Sequence, residues 1–337
     1  MAEIVYAFGC SHGPLLVTPP GEWDLRANVD RKNPALWYRD RTYTFPELAQ
    51  LRKDDHFENQ NTLEVRTERF NRCQTQLDEL ARRSQAEDFD VLVIVGDDQH
   101  EWFFSDTQPT FAIFHGKEVQ NRALTAKEQE EIIARGGQYS MKVYHPPKDE
   151  IYPTPVDLAE SMIARAMEEG FDVTACAEQP KDGDTPRKLG HAYGFVYRRI
   201  LDSKPIPLVP ILINTFFPPN QPTPKRCFEF GRSLGRAIKA WDGGKRVAVA
   251  ASGGVSHFVV DEDFDRRILD AMLKGDWDTI CKEPQYMFQS GTSETKNWIV
   301  MAGILAETKL KMELLDYVPC YRSEAGTGSG MAFATWK

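Results

Sequence analysis

Histidine is scarce in this sequence, with seven in 337 residues. Three of the seven follow apolar runs that read as strands. Ile4–Cys10 leads into Ser11 and His12, Val91–Gly96 leads into Asp97-Asp98-Gln99-His100, and Val247–Ser252 leads into Gly253-Gly254-Val255-Ser256-His257. In open α/β sheets, ligands gather beyond the carboxyl ends of the strands. Imidazoles delivered there from separate strands converge on one crevice, and with a carboxylate they form a donor set suited to zinc or non-haem iron(II). A single histidine after a strand is more often a turn or capping residue; three at matching positions argue for a site. His191, after Gly190 at the start of a helical stretch, is a further candidate. His56 and His145 lie in polar segments and are expected to be solvated, and His115 has less punctuation around it. Cys10, two residues before His12, shares its face in an extended strand; an inert buried thiol is the favoured reading for it. Composition selects neither the metal nor the carboxylate, since the chain offers 50 Asp and Glu.

The elements that must carry these residues alternate. Strands are predicted at Ile4–Cys10, Val91–Gly96, Phe171–Ala177, Leu208–Asn214 and Val247–Ser252; several are apolar on both faces, as strands covered by helices on each side should be. Val156–Glu169 and Lys225–Trp241 have helical spacing, the first opened by Thr154-Pro155. The predicted fold is therefore α/β, a central mixed or mostly parallel sheet with helices on both faces and the site at the strand carboxyl ends. One domain spans 1–337, with an insertion at about 20–88 that is polar at first and then forms a charged helix near Thr62–Ser84. That insertion is read as a lid, a dimer contact or simply a surface helix. A short helix is expected near Thr125–Arg135. At the carboxyl end, Met312–Val318 and the Gly-rich Ala325–Phe333 would close the sheet edge.

Composition narrows the partners. Lys and Arg total 41 against 50 Asp and Glu, a formal net charge of −9, which disfavours nucleic acid because phosphate-backbone affinity needs clustered positive charge. No run approaches the roughly 18–20 apolar residues of a membrane span. The first residues show no basic segment of a signal peptide, so a cytoplasmic location is expected. The six scattered cysteines contain no Cys-x-x-Cys pair, which argues against a disulfide framework or a structural zinc site.

Six segments in order resemble the class III extradiol ring-cleavage dioxygenases, the family of the protocatechuate 4,5-dioxygenase β subunit. They are Ser11-His12-Gly13-Pro14-Leu15-Leu16; Val95-Gly96-Asp97-Asp98-Gln99-His100; Gly190-His191; Asn214 with Phe216-Phe217-Pro218-Pro219-Asn220-Gln221-Pro222; Gly253-Gly254-Val255-Ser256-His257; and Gly291-Thr292-Ser293-Glu294 before Trp298. The resemblance covers most of the chain outside 20–88. It implies iron(II) held by His12, His100 and Glu294, an acid/base at His257 and a substrate-facing His191. One departure is visible, Asp98-Gln99-His100 where the compared member has Asn-Asp-His. Glu294 would open a helix running to about Leu305, whose positive end favours an ionised carboxylate.

The implied activity is opening of a catecholic aromatic acid by O2 beside its diol. A lignin-derived substrate such as 3-O-methylgallate or gallate is expected, with protocatechuate or a biphenyl catechol as alternatives. A homodimer is expected, as is a local donor for the substrate carboxylate, which sequence does not name. Two rivals have other chemistry: a non-enzymatic relative of the Memo type, and a zinc hydrolase using the same cluster.

Overall fold

The computed structural model describes all 337 residues. Its centre is a nine-stranded sheet. Numbered along the chain, the strands are β1 (Glu3–Cys10), β2 (Val91–Asp97), β3 (Phe111–Phe114), β4 (Thr174–Cys176), β5 (Leu208–Ile213), β6 (Arg246–Ser252), β7 (His257–Val259), β8 (Met312–Tyr321) and β9 (Thr327–Trp336). Their spatial order is β7-β9-β1-β6-β2-β5-β3-β4, with β8 on the other side of β9. The middle four, β1, β6, β2 and β5, are mutually parallel. Antiparallel pairs flank them, β5 with β3 and β1 with β9.

Alternate residues of the parallel strands feed two separate cores. Val91, Val93 and Val95 join Ala7 and Val249 on one face, while Leu92 and Ile94 join Phe8 and Ala250 on the other. Burial on both faces is why these strands read as unbroken apolar runs. Taking only the helices that matter below, in chain order, α1 is Trp23–Asp30, α2 is Leu63–Ala86, α3 is Val156–Glu168, α4 is His191–Phe195, α5 is Pro224–Ala240, α6 is Glu262–Lys274 and α7 is Thr295–Leu305. Helices α3, α5, α6 and α7 cover the first face, and α2 and α4 cover the second. The α/β expectation therefore holds, with helices on both faces.

Two boundaries differ from expectation. The strand predicted over Phe171–Ala177 is only Thr174–Cys176. It is the sheet edge, paired on one side to β3 alone, and Phe171 instead turns its ring into the core against Phe111 and Phe230. The carboxyl-terminal pair is longer than predicted, because β8 and β9 run antiparallel over ten residues each. The long helix α2 begins at Thr62, whose hydroxyl accepts the Val65 N–H. Its Cys73, Leu77 and Leu80 are buried in the second core, so it is part of the sheet's cover and not a detached surface helix.

Candidate active site

Parallel strands β1, β6 and β2 end side by side, and the chain beyond each of them turns into one cavity of about 330 Å³. That is the small end of the range for ligand pockets. His12 stands two residues beyond β1 and is almost fully buried. Its Nδ1 lies 2.9 Å from the hydroxyl of Ser252, the last residue of the neighbouring strand β6, which leaves Nε2 facing the cavity.

His191 opens α4. Its Nδ1 is 2.8 Å from Glu101 Oε2, and its backbone N–H donates to Glu101 Oε1 at 2.9 Å. Its Nε2 comes within 3.1 Å of His12 Nε2. Burial alone would lower the pKa of this imidazole, but Glu101 outweighs it and the value rises to about 10. Glu101 is placed by the loop after β2. Asp98 accepts the backbone N–H groups of Glu101, Trp102 and Phe103 at 3.3, 2.8 and 3.0 Å, and burial pushes its own pKa up to about 6.

Glu294 ends a 3₁₀ turn and immediately precedes α7. One carboxylate oxygen lies 3.3 Å from His12 Nε2 and the other 3.2 Å from His257 Nε2. Burial opposes ionisation, yet the His257 and His12 imidazoles hold its pKa well below the usual carboxylate range. Asp97, the last residue of β2, is fully buried. It receives hydrogen bonds from Asn297 at 2.9 Å and Gln99 at 3.0 Å, and burial, with the Glu294 charge added, raises its pKa.

His257 enters from the turn after β6. Gly253 there has φ +143°, a conformation other residues resist, and a Cβ on it would stand 3.2 Å from that of Glu294. His257 Nδ1 lies 2.9 Å from the Val255 carbonyl oxygen, so the ring presents Nε2 to Glu294. Burial lowers the His257 pKa, and Glu294 more than reverses that, leaving it raised.

Ligating atoms of His12, Asp97, His191 and Glu294 all lie within 4.8 Å of one another. Two ligands at right angles around an ion, each at ~2.1 Å, are separated by roughly 3 Å; the 3.1 and 3.3 Å spacings about His12 Nε2 match that. Both imidazoles also have Nδ1 engaged, the arrangement that orients Nε2 for a metal. The donor set fits a divalent transition metal.

The structure brings together His12, His191, His257 and Glu294, and it does not bring His100. That residue has φ +57°, and its ring lies flat on Phe217 with centroids 3.7 Å apart and planes 2° from parallel. Gln99, and not His100, lines the cavity. His100 therefore stands apart from the cluster in this structure: a left-handed residue at the end of the loop turns its imidazole onto an aromatic face.

Sequence reasoning missed Asp97 as a member of the cluster, although its place at a strand end was visible. It also missed Glu101 and Ser252, which no local pattern marks. His145 is not solvated as expected; its Nδ1 is buried without a partner. His56 is exposed beside Glu58, and His115 faces Glu160 at 3.5 Å, away from the cavity. Cys10 is wholly buried, and burial drives its thiol pKa up to about 12, an unreactive thiol. Asn214 holds the Pro-rich loop, exchanging hydrogen bonds of 2.7 and 2.9 Å with the Phe217 backbone.

Known proteins bear on the same residues. The chain is similar to the gallate dioxygenase of Pseudomonas putida, 26% identical over 166 residues, or 45% of this chain and 46% of that protein. It is also similar to the 2,3-dihydroxyphenylpropionate/2,3-dihydroxicinnamic acid 1,2-dioxygenases of Cupriavidus necator, 29% identical over 175 residues (52% of this chain, 46% of that protein), and of a Mycobacterium species, 33% identical over 103 residues (31% and 30%). The matches thus span less than half the length of these relatives. The family described as "Catalytic LigB subunit of aromatic ring-opening dioxygenase" matches residues 59–328. That span begins ahead of α2, so the family region takes in the long helix that the sequence suggested was part of an insertion, and it contains Asp97, His191, His257 and Glu294. With a match over most of its length and a donor cluster at the sheet's carboxyl ends, the chain belongs to the family of the catalytic LigB subunit of aromatic ring-opening dioxygenases.

Proposed function

We propose that this protein is an iron(II)-dependent extradiol dioxygenase that opens the ring of a catecholic aromatic acid with O2. The observation that carries the reading is the meeting of two oriented imidazole Nε2 atoms and the Glu294 carboxylate in one cavity, with a third imidazole beside them. Two histidines and one carboxylate with open positions are the donor set of non-haem iron(II) oxygenases. His12, His191 and Glu294 would hold the metal, His191 taking the place that resemblance gave to His100, with Asp97 next to them. Held there, the metal would supply a Lewis-acidic centre with open positions for the diol end of the substrate and for O2.

The remaining work falls to the chain. Phe216, Phe258, Pro14 and Met331 line the cavity and supply apolar contact for an aromatic ring. His257 stands within reach of the Glu294 carboxylate but outside the four-residue cluster. From there its Nε2 can take a proton from a substrate hydroxyl and return it as the ring opens. One C–C bond beside the diol breaks, and both oxygen atoms remain in the product. Substrates of the gallate and 3-O-methylgallate type are proposed.

The test is oxygen uptake by iron(II)-loaded protein against gallate, 3-O-methylgallate, protocatechuate, 2,3-dihydroxyphenylpropionate and a biphenyl catechol, with a zinc-loaded control. Uptake with at least one catechol, abolished by zinc, is expected; hydrolysis without oxygen consumption in the zinc form would replace this reading. His257→Gln should retain metal and lose roughly 10²–10⁴-fold in turnover, the usual scale of general acid–base assistance.

A further inference from the structure

Two guanidinium groups line the cavity that holds His12, His191, His257 and Glu294, those of Arg26 and Arg322. Arg322 is committed elsewhere. Its Nε and one terminal nitrogen donate to the two oxygens of Asp30 at 2.6 and 2.9 Å, in a buried bidentate pair. Thr327 occupies Asp30 further, donating its hydroxyl at 2.6 Å. Asp30 thus accepts three hydrogen bonds from Arg322 and Thr327, and none of them comes from Arg26.

Arg26 has no such partner. It sits on α1, half-buried, and makes no ion pair with any carboxylate of the chain. Burial, followed by the neighbouring Arg322 charge, lowers its pKa from the ordinary guanidinium value. A guanidinium stays charged in a protein under such conditions. A half-buried charge beside a like charge, with five donors and no acceptor, is an unfavourable arrangement until an anion fills it. The apolar residues Phe216, Phe258 and Met331 share the cavity with it, so an anion arriving there would be attached to something flat and apolar.

We propose that Arg26 is the anion-binding residue of this cavity, receiving the carboxylate of the aromatic substrate through its planar fork while the diol end meets the His12–His191–Glu294 cluster. The inference rests on the ring-cleavage reading for the nature of the diol end. The planar fork matches a carboxylate in two parallel hydrogen bonds. It also resolves how a chain of net charge −9 accepts an acid, because a local unpaired cation overcomes an unfavourable long-range field. Arg26 precedes residue 59, where the family match begins, so this selectivity belongs to the chain's own amino-terminal segment.

The experiment measures binding of 3,4-dihydroxybenzoate and of its methyl ester to the metal-loaded protein without oxygen, followed by oxygen uptake with the same two compounds. The unmodified protein should prefer the acid. Arg26→Met should reduce that acid-over-ester preference roughly 10–100-fold, the scale of one charge-assisted hydrogen-bonded pair. Arg26→Lys, which keeps the charge and loses the fork, should restore part of it and guards against a folding defect in the first variant. Preference for the acid that survives in Arg26→Met, or its absence from the unmodified protein, overturns the proposal. Selective binding of the acid with no oxygen uptake by any catechol would instead overturn the ring-cleavage reading and leave the anion site standing.

Discussion

Each imidazole in the cavity is held at Nδ1 by a different partner, and that decides what its Nε2 can do. Ser252 holds His12, a carboxylate holds His191, and a backbone carbonyl holds His257. The Glu101 carboxylate raises the basicity of His191, and such a partner strengthens a metal-ligating imidazole. His12→Ala, His191→Ala and Glu294→Ala should each lose tight iron binding while staying folded, whereas His100→Ala should keep it. Metal content after gel filtration decides this, and iron lost from the His100 variant would return that residue to the ligand set. Residue types were legible from sequence, since four of the five singled-out residues meet in space. Their pairing was not. Glu101 reaches His191 across 90 positions, and the left-handed turn at His100 reverses which side chain of Gln99-His100 faces inward. His145 carries a separate consequence at this scale. Burial lowers its pKa to about 4, so the unfolded chain takes up its proton first as pH falls from about 6.5. The stability it contributes is complete above 6.5 and drains away toward pH 4, by at most about 3 kcal/mol. His145→Phe should flatten that part of the pH–stability curve in urea titrations; an unchanged slope would assign it to other groups.

At the scale of elements, the position of Glu294 depends on how closely two helices approach. A Cβ at Gly231 of α5 would stand 2.0 Å from the Val300 carbonyl oxygen, and one at Gly303 of α7 would stand 2.1 Å from that of Phe228. Both contacts are backbone, so neither can swing aside. Helix α7 is buried along its whole length, and Glu294 is the residue just ahead of it. Gly303→Ala should therefore push the helices apart, costing about 1–3 kcal/mol or more in overpacking, and it should weaken metal binding by moving Glu294. Urea unfolding together with a metal titration separates the two effects; unchanged metal affinity in a destabilised variant would show that Glu294 is positioned independently of α7. The glycines themselves were visible in the sequence, but their mutual contact was not, because it joins helices that spacing analysis treats one at a time. Periodicity did better with the central strands, where burial on both faces leaves a distinctive apolar run. It did worse at the edge, where β4 pairs on one side only and a neighbouring aromatic side chain competes for the core.

For the whole molecule, the site is a junction of segments far apart in the chain. His12, Asp97, His191 and Glu294 come from the ends of β1 and β2, from the start of α4 and from the turn before α7. An unfolded chain scatters those donors, so an ion that binds them favours the folded state by mass action, about 2.7 kcal/mol at a hundredfold excess over the dissociation constant. Charge adds to this. Asp97 and Glu294 are both buried, and burial first, with repulsion from the Glu294 carboxylate added, raises the Asp97 pKa. An ion between them converts that repulsion into shared attraction. Removing metal with a chelator should therefore lower Tm by several degrees, roughly 5 °C for a chain of this size, and the loss should grow with the metal concentration used as reference. The same chelation should leave Tm unmoved in a His12→Ala/Glu294→Ala variant, whose repulsion has gone along with its ligands. If chelation shifts both proteins equally, the ion that stabilises the fold sits elsewhere, and the cluster at the strand ends is held by its own hydrogen bonds.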